Sequence, residues 1–316
     1  MRFVTYSIGM RTRFRGIDVR QGMLIEGPAG WGEFSPFWEY DDRVSVSWLR
    51  AAVQSAQQPW PAAVRDHIPV NCTIPAVGPE EAARLVKAGA GCRTAKVKVA
   101  ESEQCEGDDL ARVEAVRDAV GPHGRVRIDA NGGWAVDEAV RRITALARFD
   151  LEYAEQPCAT AEELAQVRRR VDVPIAADES IRTAADPLRV KLIEAADIAV
   201  LKVQPLGGVR ACLRIAEQIG LPVVVSSALE TSVGIAAGVA LAAALPELAY
   251  ACGLATVQLL QRDVVADPLL PVDGLLPVRR ATPDPDALAA AAADTGIEAA
   301  WQDRLARVQT LLGATG

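Results

Sequence analysis

From about Pro69 onward the chain repeats itself: short apolar runs rich in β-branched residues alternate with amphipathic helical segments. The runs are Val70–Ile74, Ala95–Val99, Val126–Ile128, Leu151–Ala154, Pro174–Ala177, Ile198–Leu201, Pro222–Val225 and Leu248–Ala251. Between them, Glu80–Lys87, Leu110–Val120, Asp137–Arg148, Ala161–Arg169, Pro187–Ala195, Val209–Ile219 and Thr231–Ala244 read as helices. Strands alternating with helices at this spacing predict parallel strands joined by right-handed crossovers. Eight such units in about 180 residues predict a TIM-type (β/α) barrel, an α/β fold. An open doubly wound sheet is the alternative, but it normally carries a glycine-rich phosphate turn after its first strand. Thr73-Ile74-Pro75-Ala76-Val77-Gly78 is not one.

The flanks break the repeat. In residues 1–68, Phe3–Ile8 and Ile17–Glu26 read as antiparallel strands, with a turn at Gly27-Pro28-Ala29-Gly30. Arg43–Gln57 reads as a helix stopped by Pro59 and Pro61. This is a small α+β unit. The barrel is expected over 69–275. Residues 276–316 follow a proline-rich connection, and Ala287–Leu312 within them reads as helical. With no low-complexity linker before it, the tail is expected to pack back on the first unit and complete a capping domain.

Half of the residues are hydrophobic, enough for a large core. A formal charge of −7 disfavours a nucleic-acid binder, which would show a basic face. Met1–Gly16 lacks the apolar stretch of a signal peptide. The longest apolar run, Ile235–Leu245, falls well short of the roughly 20 residues that span a bilayer. The expectation is a cytoplasmic protein acting on a small molecule, with no nucleic acid, membrane or protein partner. The six cysteines are scattered without paired spacing and read as reduced, mostly buried thiols. Of the two histidines, His67 precedes a strand and His123 sits in the turn Gly121-Pro122-His123-Gly124. A mechanism built on a histidine base is therefore disfavoured.

Charged residues end five successive candidate strands: Lys96 and Lys98, then Asp129, Glu155, Asp178 and Lys202. From Lys98 onward they lie 31, 26, 23 and 24 residues apart, each about one strand-plus-helix unit. They should occupy neighbouring staves at the C-terminal rim, where barrel enzymes keep their active sites. Lys96 and Lys98, two apart on a strand, share a direction, and the expectation is that it is inward. Three carboxylates on adjacent strands would repel one another unless a cation sat between them. Oxygen-only ligation suits a hard divalent ion such as Mg²⁺; a carboxylate–lysine network closing the barrel end is the alternative. Lysines beside such an ion have a chemical use. Removing a proton α to a carboxylate builds a dianion, which a divalent ion stabilises. A lysine can serve as base if burial and neighbouring cations lower its usual pKa of about 10.4. A lysine or histidine base beside magnesium is the known arrangement of enolase-type sites.

The motifs Lys-x-Lys at Lys96–Lys98, Asp129-Ala130-Asn131, Glu155-Gln156-Pro157, Asp178-Glu179-Ser180 and Lys202, taken together, resemble the enolase superfamily, muconate-lactonizing subgroup, over nearly the whole chain. The resemblance implies a capped barrel in which Asp129, Glu155 and Asp178 bind Mg²⁺. It also implies that Lys98 and Lys202 are the catalytic pair, supported by Lys96 and Asn131. Four further stretches, Met10–Ile17, Gly30–Phe37, Ser226–Gly234 and Cys252–Thr256, are similar to a dehydratase branch that forms an aromatic ring from a hydroxylated cyclohexadiene carboxylate. Ser227 and Gly253 are then candidates for holding the substrate's tail, with ordinary loop packing as the alternative. Arg13 and Arg15 are either part of that site or solvated cap residues. Rival readings are a dipeptide epimerase, an N-acylamino acid racemase or a muconate-type cycloisomerase with the same site, and, from another class, a non-catalytic carboxylate-binding barrel. The epimerase would be expected to place acids near the eighth strand end, where Leu254-Ala255-Thr256 supplies none.

Overall fold

The computed structural model describes residues 2–183 and 186–314. Strands β1 (Arg2–Phe14), β2 (Ile17–Gly27) and β3 (Gly30–Phe34) form an antiparallel sheet in that order. β3 is not signalled by the apolar pattern, because two of its five residues are glycines and glycine is depleted in strands. Helix α1 (Asp42–Gln57) is capped by Asp41, whose side chain accepts from the Val44 amide. It packs so closely on the sheet that glycine is required beneath it. A Cβ at Gly32 would lie 2.0 Å from the Ala52 carbonyl oxygen, and one at Gly27 would lie 2.4 Å from that of Ala56.

A short strand β4 (His67–Pro69) leads into the repeat: β5 (Cys72–Ile74), α2 (Pro79–Lys87), β6 (Thr94–Lys98), α3 (Glu106–Val120), β7 (Arg125–Asp129), α4 (Val136–Leu146), β8 (Leu151–Glu155) and α5 (Ala161–Arg168). It continues with β9 (Ile175–Ala177), α6 (Glu179–Arg182), α7 (Arg189–Leu192), β10 (Ile198–Lys202), α8 (Val209–Ile219), β11 (Val223–Ser226) and α9 (Ser232–Ala244). The seven strands β5–β11 pair in parallel in chain order, each with its neighbour in sequence. The eighth run does not form a strand at Leu248–Ala251. The Ala251 carbonyl accepts instead from the Arg127 guanidinium at 2.7 Å. The ring is closed one step later by two parallel bridges, Val70 to Cys252 and Ser226 to Gly253.

The interior also departs from an all-apolar filling. Arg127 is fully buried inside the barrel, against Glu152 Oε2 at 2.5 Å and over the Tyr153 ring at 4.6 Å. The apolar run Ile235–Leu245 lies almost wholly within α9, whose residues are buried nearly throughout. Among the described residues no helix is long and apolar enough to cross a membrane. All six cysteines are free, and Cys105 is exposed while the rest are buried.

After α9 the chain returns to the cap. β12 (Leu275–Pro277) pairs with β4, and the alanine-rich tail divides into α10 (Pro285–Ala290) and α11 (Thr295–Ala314) rather than one helix. The break has a cause: Ala291 O accepts from the Ser7 amide and Ala293 N donates to Thr5 O, so the tail pairs with the free edge of β1. Edge pairing there overrides alanine's helix propensity. α11 then packs on α1. Its Trp301 is buried edge-on against Phe34 at 5.9 Å, and its buried Arg304 donates to the carbonyls of Pro36, Phe37 and Tyr40.

The approach of α1 to β3 is the tightest joint of the cap. Gly32→Ala should destabilise the protein by about 1–3 kcal/mol, the usual penalty for forcing atoms into a packed site. Urea denaturation followed by circular dichroism checks this, and an unchanged midpoint would show that the joint is loose.

Candidate active site

Strand register brings the charged side chains together. Lys98 stands opposite Asp129, Asp129 opposite Glu155, and Glu155 opposite Ala176, two residues before Asp178. Lys202 ends β10 opposite Ser226. Side chains two apart on a strand share a face, so Lys96, Arg127 and Tyr153 form the layer beneath. The three acids are at most 1% exposed.

Ammonium groups are interleaved among them. Lys96 Nζ lies 2.8 and 3.0 Å from the two Glu155 oxygens and 3.1 Å from Asp129 Oδ2. Lys98 Nζ lies 2.5 Å from Asp129 Oδ2 and 2.6 Å from Asn131 Oδ1. Lys202 Nζ lies 2.5 Å from Asp178 Oδ2, and Arg182 Nε lies 3.0 Å from Asp178 Oδ1.

These contacts decide the protonation of the acids. Burial would raise the Asp129 carboxyl, but Lys98 and Lys96 outweigh it and hold it well below the usual range. Burial likewise opposes ionisation of Asp178, which Lys202 and Arg182 overcome. Glu155 goes the other way: burial, then the neighbouring Asp129, push it up to about 7 against the pull of Lys96. Lys96 is held charged, since Glu155 and Asp129 outweigh the burial that disfavours its ammonium.

The loops after the strands hold the acids in place. Asn131 and Gln156 both adopt left-handed backbone, at φ of 46° and 40°. Asn131 N donates to Asp129 Oδ1, and its Nδ2 donates to Glu179. Gln156 Oε1 accepts from the amides of Asp178 and Ser180, and so ties the ends of β8 and β9 together.

Lys96, Lys98, Asp129, Asn131, Lys202, Ser227 and Gly253 all line one pocket. Ser227 Oγ is 2.8 Å from Thr256 Oγ1. Gly253 crosses Ser226 so closely that a Cβ there would lie 2.6 Å from its Oγ. The cap supplies Phe14, Arg15 and Phe37. Arg15 bonds Tyr40 Oη at 2.8 Å with its guanidinium 4.0 Å from the Phe37 ring centroid. Arg13 instead reaches Asp18 at 3.4 Å on the surface, and does not line this pocket.

Several contributors carry little signal in the sequence. Arg182 follows Asp178 by one helical turn, a spacing that could have been noticed. Gln156 stands inside a motif already singled out. Phe14, Phe37 and Thr256 fall within the stretches Met10–Ile17, Gly30–Phe37 and Cys252–Thr256 already noted, but nothing in their residue type marks them as pocket residues.

The donor set fits a hard cation: three buried carboxylates on adjacent strands, with no nitrogen or sulfur ligand among them. Among the described residues these acids are not drawn into a finished coordination cluster; their oxygens face ammonium and guanidinium groups instead.

Family models for enolase C-terminal domain-like and enolase N-terminal domain-like sequences match residues 79–284 and 5–56. Solved structures agree on the fold. The muconate lactonizing enzyme of Pseudomonas fluorescens superposes with a TM-score of 0.80 at 22% identity, covering 92% of this chain and 98% of that one. The L-Ala-D/L-Glu epimerase of Bacillus subtilis gives 0.78 at 23% identity, over 89% and 96%. Sequence relatives are far nearer. The o-succinylbenzoate synthase of Thermobifida fusca is 68% identical, over 95% of this chain and 94% of that protein. That of Mycolicibacterium smegmatis is 57% identical, over 97% and 94%. A cap, a barrel and a rim of paired charges, together with identity at this level along nearly the full length, place the chain in the enolase superfamily, within the o-succinylbenzoate synthase family.

Proposed function

We propose that the protein is a cytoplasmic hydro-lyase that dehydrates 2-succinyl-6-hydroxy-2,4-cyclohexadiene-1-carboxylate to 2-succinylbenzoate, a step of menaquinone synthesis. The observation that carries the reading is the placement of Lys98 and Lys202 in one pocket with Asp129, beneath apolar groups of the cap. With its own proton released to solvent, the Lys98 amine leaves Asp129 and takes the α-proton of the ring carboxylate. It then returns a proton to the departing hydroxyl, which leaves as water, and the ring becomes aromatic. Lys202 faces the developing negative charge and stabilises it. Lys96, held charged between Glu155 and Asp129, favours the ionised form of both acids and keeps them in register.

Asp129, Glu155 and Asp178 are the residues that would hold Mg²⁺, whose charge lowers the cost of a second negative charge on the substrate carboxylate. Electroneutrality supports this. Lys96, Lys98, Lys202 and Arg182 balance Asp129, Glu155, Asp178 and Glu179. A divalent ion then matches a dicarboxylate substrate. Among the described residues lining the pocket, Asp129 is the only acid, so a substrate ammonium, as an epimerase would require, gains no partner near Gly253.

Lys98→Ala should lower turnover roughly hundredfold or more, as loss of a general base does; a drop smaller than about tenfold would assign the proton transfer to another group. Loss of the ring diene followed in the ultraviolet measures it. The metal reading has an independent readout. At a hundredfold excess over Kd, Mg²⁺ should stabilise the wild type by about 2.7 kcal/mol, seen as a rise in Tm. Asp178→Asn should remove that rise and the activity together, and turnover that persists in excess chelator would end the metal reading.

A further inference from the structure

A buried strut joins the capping sheet to one wall of the pocket without touching the charged centre. Arg20, on β2, is 2% exposed. Its Nε donates to Leu229 O at 2.9 Å, and its Nη2 donates to Ala228 O at 3.1 Å and to Ser35 Oγ at 2.9 Å. Ala228 and Leu229 belong to the loop between β11 and α9, and both line the pocket beside Ser227. Leu229 holds φ at 62°, a left-handed conformation that a branched side chain rarely adopts unless its surroundings impose it. The far end of the same loop is fixed from the cap as well. Glu33, on β3, accepts from Thr231 N at 3.1 Å and from Gly234 N at 3.0 Å. Ser35 links the two tethers, since its Oγ accepts from Arg20 and donates to Glu33 Oε1 at 2.8 Å.

We propose that Arg20 is a positioning residue: its forked guanidinium imposes the Ala228–Leu229 backbone, and thereby sets the wall that receives the non-reacting tail of the substrate. The proposal rests on the dehydratase reading above for the identity of that tail, but not for the link between Arg20 and the loop. Through this link the cap shapes selectivity by way of barrel backbone, not by direct contact. A lysine at the same place keeps the charge but cannot serve two carbonyls and a hydroxyl in one plane. Lys98, Lys202 and the three acids keep their own partners, so the chemical step is spared.

The test uses full-length Arg20→Lys and Arg20→Met. Hydrogen exchange of the segment spanning 227–231 should accelerate roughly tenfold or more in both, with peptides from β6 and β10 unchanged. KM for the cyclohexadiene substrate should rise about tenfold, equivalent to about 1.4 kcal/mol of lost binding, while kcat falls less than about threefold, the pattern of lost uniform binding. If either protein fails to fold, Ser35→Ala, which removes one Arg20 acceptor, should give the same split on a smaller scale. A loop that exchanges at the wild-type rate overturns the proposal, as does a lower Tm with KM unmoved, or a fall in kcat as large as the rise in KM. A wild-type protein that binds but does not turn over the substrate refutes the dehydratase reading, and the exchange measurement still decides whether Arg20 holds the loop.

Discussion

Three carboxylates buried side by side in a barrel would be untenable without positive charge threaded between them, and the register of β6–β10 is what threads it. Because strand side chains alternate, a slip of one residue would turn each acid or lysine to the wrong face of the sheet. The observed pairing of Lys98 with Asp129 and Asp129 with Glu155 is thus both a folding constraint and the condition for chemistry. Removing one partner of such a buried pair leaves an uncompensated charge, which costs more than the pair itself contributes. The layer below repeats the theme. Arg127, opposite Lys96 and Tyr153, places a fixed cation under the acids and stacks on two tyrosine rings. One flank of the barrel core is therefore polar and ordered by hydrogen bonds, while β11 contributes branched apolar residues.

Much of this was legible before any coordinates. The spacing of Lys98, Asp129, Glu155, Asp178 and Lys202, each step about one strand-plus-helix unit, reports a repeating unit, and period two in the strands reports a shared face; both are local properties of the chain. What escaped depends on contacts between distant segments. β3 carries Gly32 because α1 presses on it there, a demand made by Ala52, twenty positions away. The eighth stave shrinks to Cys252 and Gly253, and the preceding Ala251 carbonyl is taken by Arg127, far off in sequence. The tail breaks its helix to meet the edge of β1. Arg15 and Arg13 are indistinguishable as letters, and only the folded hairpin sends one to the pocket and the other to solvent.

The cap is more than a cover. It closes the rim with Phe14, Arg15 and Phe37, and its buried polar residues reach two barrel loops. Ser35 N donates to Gln204, just beyond Lys202, and Glu33 collects the first amides of α9. The Glu33 carboxyl is pushed up to about 7 by burial and by Glu230, against the pull of Thr231 and Arg20. Such a network fixes the two units in a single relative pose, because the forked Arg20 guanidinium and the Glu33 carboxylate each bind several partners at set directions. Apolar packing between them would tolerate sliding; forked hydrogen bonds to carbonyls do not.

The pairing of Ala291–Ala293 with β1 has a consequence for how the molecule is made. During synthesis the β1–β2 hairpin leaves the ribosome about 250 residues ahead of the Ala291–Ala293 segment and Trp301, a span made in about 12–50 s at 5–20 residues per second. For that interval β1 is an unprotected template for any passing strand. The barrel strands pair with their nearest neighbours in the chain, whereas the roof over the rim waits for residues 291–301. The cap over the rim is thus completed after the barrel strands have been made, and a chain cut before Ala291 would leave the edge of β1 open.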